Sequence, residues 1–259
     1  MRKSLAMSLI LGASLVAVPA RADVWDVQTQ SDNDTGTQNE LVHGSDQLHD
    51  LGVLPGPLAD ADWYRLGQQA YSSYEVVADA TSGDIGTAVN LERIANDGTT
   101  VVQASAPIGV GYSRSLRWIN GAATPVNDEY VHLTSASCTT TCGPDDVYRL
   151  RSYETTYAIP RFNNVTTQIT ALLVQNPSSY TITGTVYFWG GPGNLLASVP
   201  LNLVPKQTFV LNTSTVVPGL GGSITVVNDG RYGDLSGKSV ALEPATGFSF
   251  DSPMIPRPH

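Results

Sequence analysis

Charged residues are scarce in this sequence: 14% of its 259 residues are Asp, Glu, Lys or Arg, against about 25% in a typical globular protein. Coiled coils and long exposed helices need many Glu, Lys and Arg, so the composition argues against both. Hydrophobic residues make up 41% of the chain, which argues against intrinsic disorder because disordered chains combine low hydrophobicity with high charge. Lys and Arg number 14 against 23 Asp and Glu. This acidic balance argues against a nucleic-acid partner, since phosphate binding needs clustered basic residues.

Long hydrophobic runs are also missing, except near the start of the chain. Arg2 and Lys3 precede an uncharged apolar stretch at 4–18, and Ala20-Arg21-Ala22 follows it. This is the pattern of a secretory signal peptide, and the stretch is shorter than the about 20 apolar residues of a membrane anchor. We therefore expect cleavage after Ala22 and a mature protein without a transmembrane segment, which is secreted, periplasmic or held at the cell surface.

Cysteine occurs only twice, at Cys138 and Cys142. In the oxidising compartment that a signal peptide implies, two thiols this close can close a small loop. A zinc site needs about four ligands, and the sequence has no second Cys/His pair at ligand spacing. The spacing also differs from the Cys-x-x-Cys of redox-active pairs. The sequence predicts a structural disulfide between the two.

Helical signals are nearly absent after the signal peptide, whereas short runs rich in Val, Ile, Thr and Tyr recur along the chain. Such runs, bounded by Gly, Pro, Asn and Asp, predict β-strands, and their spacing of about 8 to 14 residues is typical of antiparallel sandwiches. Asn96-Asp97-Gly98 predicts a hairpin turn, because Asp-Gly tolerates positive φ. The predicted strands are 74–79, 89–94, 100–105, 114–119, 129–134, 147–153, 169–175, 182–189, 195–204, 208–211, 223–227 and 239–242.

A boundary is predicted near residues 155–161, where Pro160 lacks the amide donor that a β-ladder needs. The strand pattern restarts after it. The sequence therefore predicts an all-β protein with two tandem antiparallel β-sandwiches of jelly-roll or Ig-like type, at 23–156 and 157–259, after a signal peptide at 1–22.

Six segments, spread over most of residues 30–153, match the pattern of a known family. They are Asn33-Asp34-Thr35, Asp62-Trp63-Tyr64, Leu91-Glu92-Arg93-Ile94, Asn96-Asp97-Gly98, Leu116-Arg117-Trp118 and Glu129-Tyr130-Val131. On these segments the first half resembles the bacterial pre-peptidase C-terminal domain. The resemblance implies a small secreted β-sandwich of the kind often appended to exported proteases. The loop with the two cysteines departs from the pattern as an insertion, and no protease domain precedes the module.

The second half resembles a recurrent sandwich of bacterial secreted proteins. The segments that carry this resemblance are Ile159-Pro160-Arg161-Phe162-Asn163-Asn164, Gly222-Ser223-Ile224-Thr225-Val226 and the run at 240–251. It implies an extracellular, Ig-like module and no particular activity.

Calcium is the candidate cofactor, because carboxylate and amide oxygens are the ligands that it selects. In the resembled family, some members bind calcium through an acidic N-terminal segment together with acids just before the first good strand. The corresponding residues here are Asp32, Asn33, Asp34, Asp60 and Asp62. The alternative is that the first three are solvated linker residues and that Asp62 caps a turn.

No set of catalytic residues follows from the sequence. Gly111-Tyr112-Ser113-Arg114-Ser115 begins like the G-x-S-x-G motif of serine hydrolases, but Ser115 replaces the last glycine and no strand-to-helix turn is predicted there. Acid pairs such as Asp145-Asp146 are typical of solvated turns, and a glycosidase would need two carboxyl groups at a set separation. We expect a protein that is not an enzyme.

Aromatic residues are the better candidates for ligand contact. Tyr112, Tyr180 and Tyr232 lie beside turn residues and are predicted to be exposed, whereas Trp118 and Trp189 are predicted to be core. An exposed aromatic patch indicates binding.

Together these features favour an exported, non-catalytic binding, adhesion or scaffolding protein of the bacterial envelope or extracellular space. Its partner would be an extracellular protein or polysaccharide. The protease-associated resemblance keeps a secreted hydrolase, or an accessory domain of one, as an alternative. A structural subunit of a surface layer or filament is a second alternative. The oligomeric state does not follow from the sequence.

Overall fold

The computed structural model of the chain describes residues 32–51, 61–82, 89–107, 113–135 and 145–258, together with Trp25 and Cys142. Within these residues the chain forms nineteen β-strands and one short 3-10 helix, Thr213–Thr215. None of the described helices is long and apolar enough to cross a membrane. The predicted signal peptide lies outside the described residues.

Ten strands lie before residue 155 and form two five-stranded sheets. Sheet A has the order β1-β3-β9-β5-β6 and sheet B the order β2-β10-β4-β8-β7. All pairs are antiparallel except β1 with β3. The strands are β1 (Glu40–Leu41), β2 (Asp46–Asp50), β3 (Asp62–Gln68), β4 (Ser72–Ala80), β5 (Val89–Ile94), β6 (Val101–Ala104), β7 (Ala106–Pro107), β8 (Ser113–Asn120), β9 (Val126–Ser135) and β10 (Val147–Glu154).

Nine strands follow and form sheet C, with the order β14-β13-β16-β11-β19, and sheet D, with the order β15-β12-β17-β18. All their pairs are antiparallel. The strands are β11 (Tyr157–Asn163), β12 (Ile169–Gln175), β13 (Ile182–Gly190), β14 (Leu195–Leu203), β15 (Thr208–Asn212), β16 (Gly221–Asn228), β17 (Ser236–Glu243), β18 (Phe248–Pro253) and β19 (Ile255–Pro256).

Side chains alternate between the two faces of each strand, so sheets that bury one face pack on each other. Sheets A and B enclose one hydrophobic cluster, with Tyr64, Leu133 and Leu150 among its fully buried members. A second cluster contains Phe162 and Phe188. The predicted all-β fold of antiparallel sandwiches is confirmed. The division into domains at residue 156 stays a prediction, although the strands change from sheet B to sheet C between β10 and β11.

Strand β11 runs through the predicted boundary. It pairs with β16 on both sides of Pro160, and the register shifts between Ile159 and Phe162. The missing amide of Pro160 therefore falls in a bulge, where no ladder hydrogen bond is required of it. The proline disturbs pairing as expected, but it does not end the strand.

The predicted hairpin turn at Asn96-Asp97-Gly98 is confirmed. Gly98 has φ +70° and donates its amide to the carbonyl of Ala95. The Asp97 carboxylate accepts hydrogen bonds from the amides of Thr99 and Thr100. Together with the Thr100 hydroxyl, these donors lower the pKa of Asp97 to about 2.

Candidate functional site

Two buried threonines connect sheet B to sheet C. Thr155 and Thr156 stand between β10 and β11 and are each 1% exposed. Thr156 Oγ1 accepts a hydrogen bond from the amide of Ser73 on β4 at 2.9 Å. Asn228 at the end of β16 donates its Nδ2 to the Thr155 carbonyl, also at 2.9 Å. Since buried polar groups need such partners, this network fixes the contact between the two pairs of sheets, which we call the junction.

Glu75 lies on β4, on the face opposite Tyr74 and Val76, and it is buried in the junction. Its carboxylate accepts hydrogen bonds from the amide of Tyr232, at 2.8 Å, and from the Ser115 hydroxyl, at 3.3 Å. The loop that connects β16 and β17 thereby covers this face of sheet B. Burial raises the pKa of Glu75, and the nearby Arg117 and Arg231 oppose that rise.

Tyr180, one of the predicted ligand-binding residues, is partly buried in the same contact. The guanidinium carbons of Arg117 and Arg231 lie 5.1 and 5.6 Å from the centre of its ring. Its hydroxyl donates to Asp234 at 2.5 Å and accepts from the amide of Arg231 at 2.9 Å. Burial raises the pKa of Tyr180 to about 12. Because Arg117 belongs to sheet B, these contacts make Tyr180 a part of the junction.

Tyr232, a second predicted ligand-binding residue, is 41% exposed. Its ring stacks on that of Tyr153, with centroids 4.8 Å apart and planes at 8°. The edge of the His43 ring approaches it at 5.5 Å. His43 Nδ1 accepts a hydrogen bond from the amide of Glu154, so the neutral ring carries its proton on Nε2. We call His43, Tyr153 and Tyr232 the aromatic triad.

An open cleft of about 770 Å³ adjoins the triad at His43. Glu40, Gln69 and Asn127 line the cleft from the first half of the chain. Arg257 and Pro258 line it from the end of the second half. The cleft therefore lies at the junction and presents amide, carboxylate and imidazole groups to a ligand.

Arg257 reaches across the junction from the segment that follows β19. Its guanidinium forms an ion pair with Glu154, whose side chain is 6% exposed. Nη2 also donates to Ser72 Oγ at 2.6 Å, and Nη1 lies 3.4 Å from the carbonyl oxygens of Ala70 and Tyr71. The amide of Arg257 donates to the Thr156 carbonyl. Sequence reasoning missed this residue and Glu154, because no local pattern relates them.

The acids predicted to bind calcium are partly brought together. The amide of Trp63 donates to the carbonyl of Asp32 at 2.7 Å, which places the acidic segment beside β3. Asp32 and Asp62 are buried, and the Asp62 carboxylate accepts a hydrogen bond from the Tyr148 hydroxyl. Asp34 caps a turn by accepting from the amide of Gly36.

These side chains fit a calcium site poorly as they stand. Within the described ranges, no group of three or more His, Cys, Asp or Glu side chains is placed to hold a metal ion. Asn33 is half-buried beside Asp32, and Asp60 lies outside the described residues. Calcium binding stays a prediction.

Two further predicted residues, Tyr112 and Cys138, lie outside the described residues. Cys142 is buried, 5% exposed, and packs in the hydrophobic cluster of sheets A and B. The disulfide between the cysteines stays a prediction.

Of the two tryptophans predicted to be core, only one is fully buried. Trp118 is buried, 6% exposed, as predicted. Trp189 is only half-buried. Its ring meets that of Tyr71 at 4.9 Å across the junction.

The sequence matches no family model, and the search of curated proteins likewise gives no match. Among solved structures, the chain is similar to the pre-peptidase C-terminal domain of the collagenase from Bacillus anthracis, with 10% identity and a TM-score of 0.32, over 44% of this chain and 92% of that one. The extracellular region of zebrafish Gpr126/Adgrg6 gives 9% identity and a TM-score of 0.26, over 83% of this chain and 31% of that one. A β-glucuronidase from Bacteroides uniformis gives 13% identity and a TM-score of 0.19, over 74% and 26%. Because these TM-scores are low, the β-sandwich fold rests on the chain's own sheets.

Proposed function

We propose that this chain is a non-catalytic binding protein that acts outside the cell, and that its ligand occupies the cleft at the junction. The observation that carries the proposal is the open volume of about 770 Å³ between walls from both halves of the chain. Ligand pockets commonly measure about 300–1,000 Å³ and are lined by aromatic side chains with a few polar groups. The cleft and the adjoining triad have both properties.

The polar groups of the cleft favour a neutral, hydroxyl-rich ligand, and we take a polysaccharide of the envelope as the partner. Gln69 and Asn127 offer amide donors and acceptors, and Glu40 offers acceptors. Glu154 and Arg257, which also line the wall, form an ion pair, so their charges offset each other. Tyr232, stacked on Tyr153, adds an aromatic ring on which the apolar face of a sugar can pack.

The same contacts support binding without catalysis. A general acid or base must be able to exchange a proton with the substrate. The Glu154 carboxylate is held by the Arg257 guanidinium, and His43 Nδ1 is engaged by a main-chain amide. Glu154 and His43 Nδ1 therefore serve as structural partners in the wall, and Glu40, the other carboxylate of the wall, is assigned to ligand binding.

The test is binding of the mature chain, residues 23–259, to immobilised polysaccharides. We expect Tyr232→Ala and Asn127→Ala each to weaken binding about tenfold, which corresponds to about 1.4 kcal/mol. Phe248→Ala is the matched control, because Phe248 is an aromatic residue 76% exposed on β18 at the edge of sheet D. It should bind as the wild type does. The proposal fails if no polysaccharide binds, or if Phe248→Ala loses as much affinity as Tyr232→Ala and Asn127→Ala.

A further inference from the structure

The side chain of Arg257 occupies a socket made entirely by the first half of the chain. Ser72 is fully buried and Glu154 is 5% exposed. Glu154 pairs with Tyr74 across β10 and β4, and Ser72 opens β4. The carbonyl oxygens of Ala70 and Tyr71 come from the turn that precedes β4. We call these four groups the socket.

The geometry of the socket matches a planar fork of N–H donors. One terminal nitrogen of Arg257 meets both the Glu154 carboxylate and the Ser72 hydroxyl, while the other faces the two carbonyl oxygens. The Ser72 hydroxyl itself donates to the carbonyl of Gln69 at 2.8 Å, which leaves its oxygen to accept from the guanidinium. A guanidinium presents donors in fixed directions in one plane, whereas an ammonium is a compact point charge.

The segment that delivers Arg257 is anchored to the second half before the arginine is reached. Met254 packs against the second hydrophobic cluster, and its amide donates to the Gly237 carbonyl. Strand β19 then pairs with β11 through Tyr157 with Pro256 and Ala158 with Ile255. Arg257 follows this anchor and is a member of neither buried cluster, so its guanidinium can leave the socket without disruption of either one.

We infer that the socket is a guanidinium-binding site, that Arg257 is its occupant within the chain, and that an arginine side chain presented by another extended peptide can take the same place. The ligand class is an arginine preceded by proline, as in Ile255-Pro256-Arg257. The socket shares Ala70, Glu154 and Arg257 with the lining of the cleft, but its ligand is a cation rather than a neutral sugar, and its test uses no polysaccharide.

The first test is chemical rescue of Arg257→Ala. The variant removes the guanidinium from a buried carboxylate, so its Tm should fall by several degrees. Methylguanidinium at tens of millimolar should restore part of that loss, since a ligand that binds only the folded state stabilises it. Equal concentrations of ammonium should not. Arg149→Ala is the control, because its ion pair with Asp46 is half exposed and has no socket; methylguanidinium should leave its Tm unchanged.

Rescue by ammonium to the same extent would overturn the inference, and so would the absence of rescue. Rescue that persists in the Glu154→Gln/Arg257→Ala double variant would also overturn it, because the socket would then not be the binding site. If Arg257→Ala does not fold, Arg257→Lys decides the question: a Tm well below that of the wild type supports a fork-specific socket, and a wild-type Tm contradicts it.

The second test uses a five-residue peptide with the sequence of residues 254–258. The peptide should bind Arg257→Ala at least tenfold more tightly than it binds the wild type, whose socket is filled. A peptide with lysine at the arginine position should not bind measurably. Equal affinity of the two peptides would show that the socket does not select a guanidinium.

Discussion

Tyr148 shows how a single polar side chain fixes the packing of sheet A on sheet B. It lies on β10 with no exposed surface. Its hydroxyl contacts two residues of β3: it donates to the Asp62 carboxylate and contacts the Tyr64 hydroxyl. The His49 ring stacks on it at 5.5 Å. Burial and the charge of Asp62 hold the pKa of Tyr148 well above its usual value. The hydroxyl therefore remains a hydrogen-bond donor inside the sandwich.

The Asp62 carboxylate should stabilise the fold whether or not calcium is present. We expect Asp62→Ala to lower the free energy of unfolding by about 2–3 kcal/mol, since a hydrogen bond to a charged acceptor is lost and a buried hydroxyl loses a partner. Urea unfolding in calcium and in a chelator should give the same loss. A loss confined to calcium would instead identify Asp62 as a metal ligand. Asp34→Ala, which removes an exposed turn cap, should cost about 1 kcal/mol or less.

At the scale of strands, glycines let β13, β16 and β11 come together around the bulge at Pro160. Gly222 on β16 stands opposite Gly190 on β13. A Cβ atom on Gly222 would lie 1.7 Å from the carbonyl oxygen of Trp189, which is main chain and cannot rotate away. The close approach of these strands therefore requires glycine at this position.

Gly222→Ala should lower the free energy of unfolding by at least about 2 kcal/mol, because the two strands must move apart to admit the methyl group. Gly191→Ala is the matched control in the turn between β13 and β14. A Cβ atom there would meet nothing within 4 Å, so the change should stay within about 0.5 kcal/mol. Denaturant unfolding of the two variants compares them directly. Equal stability would mean that β16 does not approach β13 this closely.

The local sequence pattern predicts most strands, but it does not predict strands β2 and β11. Strands β5 and β12 have the predicted bounds: β5 carries buried Val89, Leu91 and Ile94 between polar residues, and β12 is a compact run of mostly apolar residues. Strand β2, with the sequence Asp-Gln-Leu-His-Asp, has little β-propensity, and its place depends on pairing with β10. Strand β11 contains Pro160, and only its register with β16 shows that a bulge absorbs it.

The candidate site is predicted less completely than the fold. The sequence singles out Tyr232 because it lies beside turn residues, and the side chain is exposed. It misses Glu154 and Arg257, which are far apart in sequence and meet only because β19 returns to β11 beside the end of β10. Strand alternation puts Glu75 on the face opposite Tyr74 and Val76, but it does not reveal that a loop covers that face.

At the scale of the whole molecule, two separate hydrophobic clusters are joined by polar contacts and by aromatic contacts such as that of Tyr71 with Trp189. The junction uses the Ser73, Thr155 and Asn228 network, the Glu75 carboxylate and the Arg257 ion pair. Such contacts are directional, so they set the orientation of one sandwich on the other more strictly than apolar packing would. They also make this orientation sensitive to charge.

The stability of the molecule should fall as the buried Glu75 ionises. Burial raises its pKa in the folded chain above the ordinary value near 4.5, so below that value both states are protonated. As the pH rises from the ordinary value to the raised pKa, the unfolded chain releases its proton before the folded chain does, so the folded chain loses stability across this interval and keeps the loss above it. Glu75→Gln keeps an oxygen that can accept from the Tyr232 amide and has no charge.

We expect the Tm of Glu75→Gln to equal that of the wild type below pH 4.5, to exceed it as the pH rises above 4.5, and to keep a constant excess once the pH passes the raised pKa of Glu75. Thermal melts of both proteins across this range measure the difference. Asp251→Asn is the control, because the Asp251 carboxylate is exposed in its ion pair with Lys238. A difference between Glu75→Gln and the wild type that does not change with pH would contradict the assignment.

The buried link at Thr155 and Thr156 also affects where a protease can cut the chain. Proteolytic cleavage concentrates at exposed, loosely held chain, and a chain between two sandwiches is ordinarily such a place. Here both residues are 1% exposed, and the Thr155 carbonyl is bound to Asn228. The connection between β10 and β11 is thus protected from cleavage, and cuts should fall in exposed turns within either half rather than between the halves.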